Sequence, residues 1–226
     1  MSLDVLHRDD LQLGGFAGLK EYRLVMGFKA FGHHTNPDSW PGIGNFVYLA
    51  DAVFNPHGET TLHDHKEVDV ISIMVDGHIQ HEGSLEHGQN LEAGDVQVQR
   101  AGGEGFSHNE INPDETVNRM LQLWVLPEQR GQAAIYKLYK PLGGNVTRIY
   151  GGSDEQTDTL SSQTVIEYVS LNASKSYTLD KAFMAYLVIG TGTANEAEVR
   201  EGDLFKDTQL TFTAISSVTL LVIYKI

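Results

Sequence analysis

Short runs of β-branched and aromatic residues recur along the whole chain, each closed by a turn signal. The chain therefore has the makings of sheet almost everywhere and of helix almost nowhere. The runs cover residues 45–54, 68–75, 78–82, 95–99, 120–125, 165–171, 183–189 and 218–226, with Asp76-Gly77, Ala93-Gly94, Gly102-Gly103 and Gly151-Gly152 at the reversals. The 23 glycines against 6 prolines suit many tight connections between short elements. Only 114–118 and the stretch 128–138 offer candidates for short helices. Many strands at short spacing, without alternating helices, predict an all-β antiparallel sandwich or barrel.

The pattern is used twice. A strand ending Met74-Val75-Asp76-Gly77 is followed one hairpin later by Leu91-Glu92-Ala93-Gly94-Asp95, and Leu187-Val188-Ile189-Gly190 is followed by Val199-Arg200-Glu201-Gly202-Asp203. Gly-Asp turns are common enough for such a pair to arise by chance, but a duplicated β-roll explains both copies with one architecture. The expected division is an N-terminal lobe over 1–137 and a C-terminal lobe over 138–226, with the connection within 127–152. Aligning Gly190 with Gly77 sets Ser176 and Thr178 where His63 and His65 stand.

A net charge of −14, with no stripe of Lys and Arg, opposes a polyanionic partner, so direct nucleic-acid binding is not expected. The chain has no cysteine, which rules out disulfides, thiol catalysis and thiolate metal sites. No leader pattern is visible in the first ten residues, and the longest apolar stretch, 218–224, is far too short to span a bilayer. A cytoplasmic protein without a membrane partner is the expectation.

All ten histidines lie between His7 and His108, so only the N-terminal lobe can build an imidazole site. His63 and His65 flank Asp64, and His108 and Glu110 flank Asn109. Side chains two apart on a strand share a face, roughly 7 Å apart along it. Either pair alone is as readily a surface pair. If two adjoining strands turn these faces inward, three imidazoles and one carboxylate converge, a donor set suited to one divalent iron, manganese, cobalt, nickel, copper or zinc ion.

The stretch from Gly58 to Trp124 resembles the first cupin of the pirin family. The resemblance rests on His63-Asp64-His65, Asp76-Gly77, His81-Glu82, Ala93-Gly94-Asp95-Val96-Gln97, Ala101-Gly102, His108-Asn109-Glu110 and Leu121-Gln122-Leu123-Trp124. It implies two cupin-type (jelly-roll) β-barrels in tandem with few short helices, the second without metal ligands. It further implies a metal held by His63, His65, His108 and Glu110, iron being the leading expectation. The implied activity is a dioxygenase resembling quercetin 2,3-dioxygenase, acting on a flavonol-like aromatic compound with Glu110 as general base. The alternative is a metal-dependent regulatory protein that binds a protein partner. Three departures stand out: Asp64 replaces the usual proline, Asp69 stands where the family carries a longer acidic residue, and the turn 101–107 is one residue longer than usual. A slip of register in that turn would carry His108 and Glu110 to the outer face.

His81-Glu82 with His87 lacks the i, i+4 helical spacing of a zinc protease and is read as a hairpin, with His81 a lesser candidate for the cavity wall. Trp40 and Trp124 read as core, and Glu104 and Phe106 as shaping the entrance or simply exposed.

Overall fold

The computed structural model describes residues 3–226, almost all of them in strands or turns. The strands are, in order, β1 (Asp4–His7), β2 (Gly14–Phe16), β3 (Leu19–Met26), β4 (Phe46–Phe54), β5 (His63–His65), β6 (Asp69–Asp76), β7 (His78–Gly83) and β8 (Gln89–Glu92). There follow β9 (Val96–Arg100), β10 (Phe106–Ile111), β11 (Asn118–Val125), β12 (Ile135–Tyr139), β13 (Val146–Gly152) and β14 (Ser162–Leu171). The last seven are β15 (Ser176–Leu179), β16 (Phe183–Ile189), β17 (Thr191–Ala194), β18 (Ala197–Arg200), β19 (Asp203–Asp207), β20 (Leu210–Ala214) and β21 (Val218–Lys225). All eight expected strands form, with ends shifted by three residues at most. The expected helices do not. Residues 114–118 are irregular up to Asn118, and the apolar–polar alternation of 135–139 pairs as β12 with β9. Among the described residues the α-helix is confined to one turn, Phe28–Phe31. No helix among the described residues is long and apolar enough to cross a membrane.

Two compact units result. The first, residues 11–140, faces a seven-stranded sheet (order β12-β9-β6-β11-β4-β3-β2) with a four-stranded one (β5-β10-β7-β8). The second combines a six-stranded sheet (β1-β19-β16-β21-β14-β13) with a four-stranded one (β15-β20-β17-β18). The two orders correspond strand for strand from β9-β6-β11-β4-β3 to β19-β16-β21-β14-β13, and both small sheets match completely. Each unit is a cupin-type barrel, and the duplication is visible in the topology.

The expected lobe boundary differs from these units at the N-terminus. Asp4–His7 pairs with β19, Asp4 opposite Lys206 and His7 opposite Asp203, so this segment belongs to the second barrel. β1 takes there the edge position that β12 takes in the first barrel. The equivalence of Ser176 and Thr178 with His63 and His65 is also off by one residue. Ser176 and Thr178 are exposed, whereas Tyr177 and Leu179 pack on the apolar core of the second barrel. Tyr177 lies opposite Phe212 as His63 lies opposite His108.

Candidate metal centre

The strand pairing that creates the site is short. β10 runs antiparallel to β5 with His108 opposite His63 and Phe106 opposite His65, and to β7 with Glu110 opposite His81. Directly opposed residues point to the same face, so His63, His65, His81, His108 and Glu110 all project from the inner face of the small sheet. The long turn before β10 is absorbed without loss of register. Gly102 (φ +56°) and Gly105 (φ +79°) take left-handed conformations, and a Cβ on Gly102 would lie 2.0 Å from the Gln132 carbonyl oxygen.

The imidazoles of His63, His65 and His108 each bring one nitrogen to a common point, the three atoms lying within 4.8 Å of one another. His63 Nε2 and His108 Nε2 are 3.1 Å apart, and the Thr61 carbonyl accepts from His63 Nδ1 at 2.8 Å. Hydrogen bonding of Nδ1 to a carbonyl directs the Nε2 lone pair inward. His65 Nε2 and His108 Nδ1 are buried with no hydrogen-bond partner. Burial, with the neighbouring His63, pulls His65 down to about 4; burial, with His65 and His63 close by, takes His108 down to about 2. Both rings are therefore neutral at physiological pH, the form in which imidazole donates to a metal.

Glu110 lies outside that trio of mutually close donors. Its carboxyl is wholly buried, accepting from Ser72 Oγ at 2.8 Å and Gln122 Nε2 at 3.3 Å. Burial pushes it up to about 7, outweighing the opposite pull of these two hydrogen bonds. Asp64 points outward and accepts from the Ser107 hydroxyl. Asp69, in the family's acidic position, is spent on a buried bidentate pair with Arg100, its strand-opposite neighbour, at 2.7–3.1 Å.

The facing sheet supplies residues that sequence reading missed. Gln122, Ser72 and Gln97 lie side by side across β11, β6 and β9, with Gln99 one step along. Ser72, Gln97 and Gln99 are wholly buried. Their signal was a polar residue recurring with period two inside an otherwise apolar strand, as in Val96-Gln97-Val98-Gln99. His81 is wholly buried with its ring 5.4 Å from that of His108. Phe106 packs on His65 and His108, and Trp124, read as core, sits 5.5 Å from His65 and stacks with Phe31. His57 and His78 pair instead with Glu115 and Asp114, away from this group.

Known proteins resemble this chain. The Pirin family model matches residues 16–125. A Pseudomonas aeruginosa protein named "Putative quercetin 2,3-dioxygenase" is 32% identical over 158 residues, covering 64% of this chain and 67% of that one. A "Pirin-like protein" of Caulobacter vibrioides is 28% identical over 210 residues, covering 84% and 90%. The bacterial pirin YhhW of Escherichia coli, solved in complex with nickel(II), shares the fold with a TM-score of 0.85 over 99% of both chains, at 17% identity. With a relative 32% identical and covered over 67% of its length, and the Pirin model matching residues 16–125, the chain belongs to the pirin family.

Proposed function

We propose that this protein is a metal-dependent dioxygenase acting on a flavonol-like aromatic substrate, with one divalent first-row metal, iron foremost, held by His63, His65, His108 and Glu110. The observation that carries the reading is the convergence of three imidazole nitrogens within 4.8 Å, two of the rings bearing buried nitrogens with no partner. Three imidazole nitrogens beside a carboxyl fit such an ion, and the buried, unpartnered Nε2 of His65 is costly without one. Bound there, a redox-capable ion supplies the interaction with dioxygen that organic side chains lack.

The chain's own residues perform the rest. Glu110, on release from the metal, accepts the proton of the substrate hydroxyl and becomes a neutral carboxyl; Ser72 and Gln122 hold its carboxylate before the transfer. Trp124, Phe106 and Phe31 form an aromatic wall beside His65 against which a planar ring system packs and water is excluded. The names of the relatives favour the same substrate class.

The test is metal analysis of purified wild type, His63→Ala and Ser176→Ala, joined to oxygen uptake with quercetin. Near-stoichiometric metal in wild type and Ser176→Ala, its loss in His63→Ala, and metal-dependent oxygen uptake are expected. Equal metal in all three proteins sinks the site. Stoichiometric metal without oxygen uptake sinks the dioxygenase and leaves the regulatory alternative, in which the bound metal controls docking of a protein partner.

A further inference from the structure

A chain of hydrogen bonds, all running in one direction, crosses from the facing sheet to His81 on the histidine wall. Gln97 Nε2 donates to Gln99 Oε1 at 2.9 Å, Gln99 Nε2 meets His81 Nε2 at 3.3 Å, and His81 Nδ1 lies 3.4 Å from the Glu86 carbonyl oxygen. The direction follows from the last member. A backbone carbonyl only accepts, so the proton of His81 sits on Nδ1 and its Nε2 presents a lone pair. That lone pair requires the NH2 of Gln99, which turns Gln99 Oε1 toward the NH2 of Gln97. Reversing both amides would demand a proton on Nε2 and set two lone pairs against each other at Glu86.

The chain ends on an acceptor with nothing to accept. Gln97 Oε1 is buried and has no partner. Gln97 lies directly opposite Ser72, whose hydroxyl donates to Glu110, so Gln97 and the carboxyl that receives the substrate proton have Ser72 as a common neighbour. Near His65 stands the complementary gap, the buried and unpartnered Nε1–H of Trp124. A buried carbonyl left unpaired is costly, and a donor delivered by a ligand removes that cost.

We propose that Gln97 is a specificity residue of this site. Its Oε1 accepts a hydrogen bond from a ring hydroxyl of the aromatic substrate other than the one that gives up its proton. Gln99 and His81 are positioning residues that fix the direction of that acceptor. The proposal rests on the dioxygenase reading and narrows its substrate to polyhydroxylated aromatics.

The experiment compares quercetin with 3-hydroxyflavone, which keeps the reacting hydroxyl and lacks the others. Binding to the metal-loaded protein is followed by quenching of tryptophan fluorescence, and KM and kcat by oxygen uptake. Gln97→Met, similar in volume, should retain its metal, weaken quercetin binding and raise its KM about tenfold. Binding of 3-hydroxyflavone and kcat for both compounds should stay near wild type. Gln99→Met, which leaves the amide of Gln97 in place but frees its direction, should give a smaller change of the same kind and covers a failure of Gln97→Met to fold. Wild type that binds both compounds equally, or variants that lose both equally, overturn the role of Gln97 while the dioxygenase stands. Wild type that binds neither overturns both readings together.

Discussion

Glu110 is where burial and chemistry meet in one side chain. An ionised carboxylate in that position has Ser72 and Gln122 as its donors and no cation paired with it in the metal-free protein, so its proton is held to about pH 7 against an ordinary 4.5. A folded-state value above the unfolded one means the folded chain holds the proton more tightly. The associated stability is complete below about 4.5, declines as pH rises, and is gone above 7. In metal-free protein, Glu110→Gln should therefore raise stability at pH 8 by up to about 3 kcal/mol and have a smaller effect at pH 5. Urea unfolding of both proteins at the two pH values decides it; an equal effect at both would mean that Glu110 does not titrate in this range. Asp69 presents the opposite case, a buried carboxylate fully occupied by Arg100. Arg100→Leu should cost about 3–5 kcal/mol by removing the cation paired with the buried Asp69. Surviving folded protein should keep its metal at saturating concentration, and loss of metal there would mean that the pair does more than hold β6 to β9.

At the level of elements, the turn before β10 sets which face the ligands occupy. One extra residue in a strand connection reverses every side chain beyond it unless the loop takes up the slack. Gly102 and Gly105 do so with left-handed backbones, and Gly102 also packs its Cα against the chain at Gln132. Gly102→Ala should lower stability by about 1–3 kcal/mol and reduce metal occupancy, because the displaced turn moves His108. Gly88→Ala, also left-handed but with open space around it, should cost less and leave occupancy unchanged. Thermal melts paired with elemental analysis separate the two; equal behaviour would show that close approach at Gly102 is unimportant.

For the whole molecule, duplication with divergence accounts for one chemically equipped barrel and one filled barrel. The second barrel puts Tyr177, Leu179, Phe212 and Ala214 where pairing and register in the first put His63, His65, His108 and Glu110. These side chains join a continuous apolar core with Phe183, Phe205 and Leu220. The edge of its larger sheet is closed by β1, held by four paired residues and by a 2.7 Å contact between His7 and Asp203. Removing residues 1–10 uncovers the edge of β19, and exposed edges invite association. The truncated protein should melt lower and form oligomers by light scattering while retaining metal, since the donors lie in the other unit. Unchanged melting would make β1 an ornament of the fold.

Period-two alternation, turn glycines and the crowding of histidines before residue 109 were local properties, so strand content, the duplicated plan and His63, His65 and His108 could be read from sequence alone. Each of those signals depends on neighbours within a few residues, where strand geometry is stereotyped. What tertiary structure decided was long-range. The pairing of β1 with β19 joins residues almost two hundred positions apart, and no local pattern in Asp4–His7 announces it. The one-residue offset that turns Tyr177 and Leu179 inward comes from pairing with β20, which motif spacing does not encode. The amides of Gln97 and Gln99 look like surface residues in the sequence. They become part of the site only because β9 is covered on both faces and β7 brings His81 within hydrogen-bonding reach.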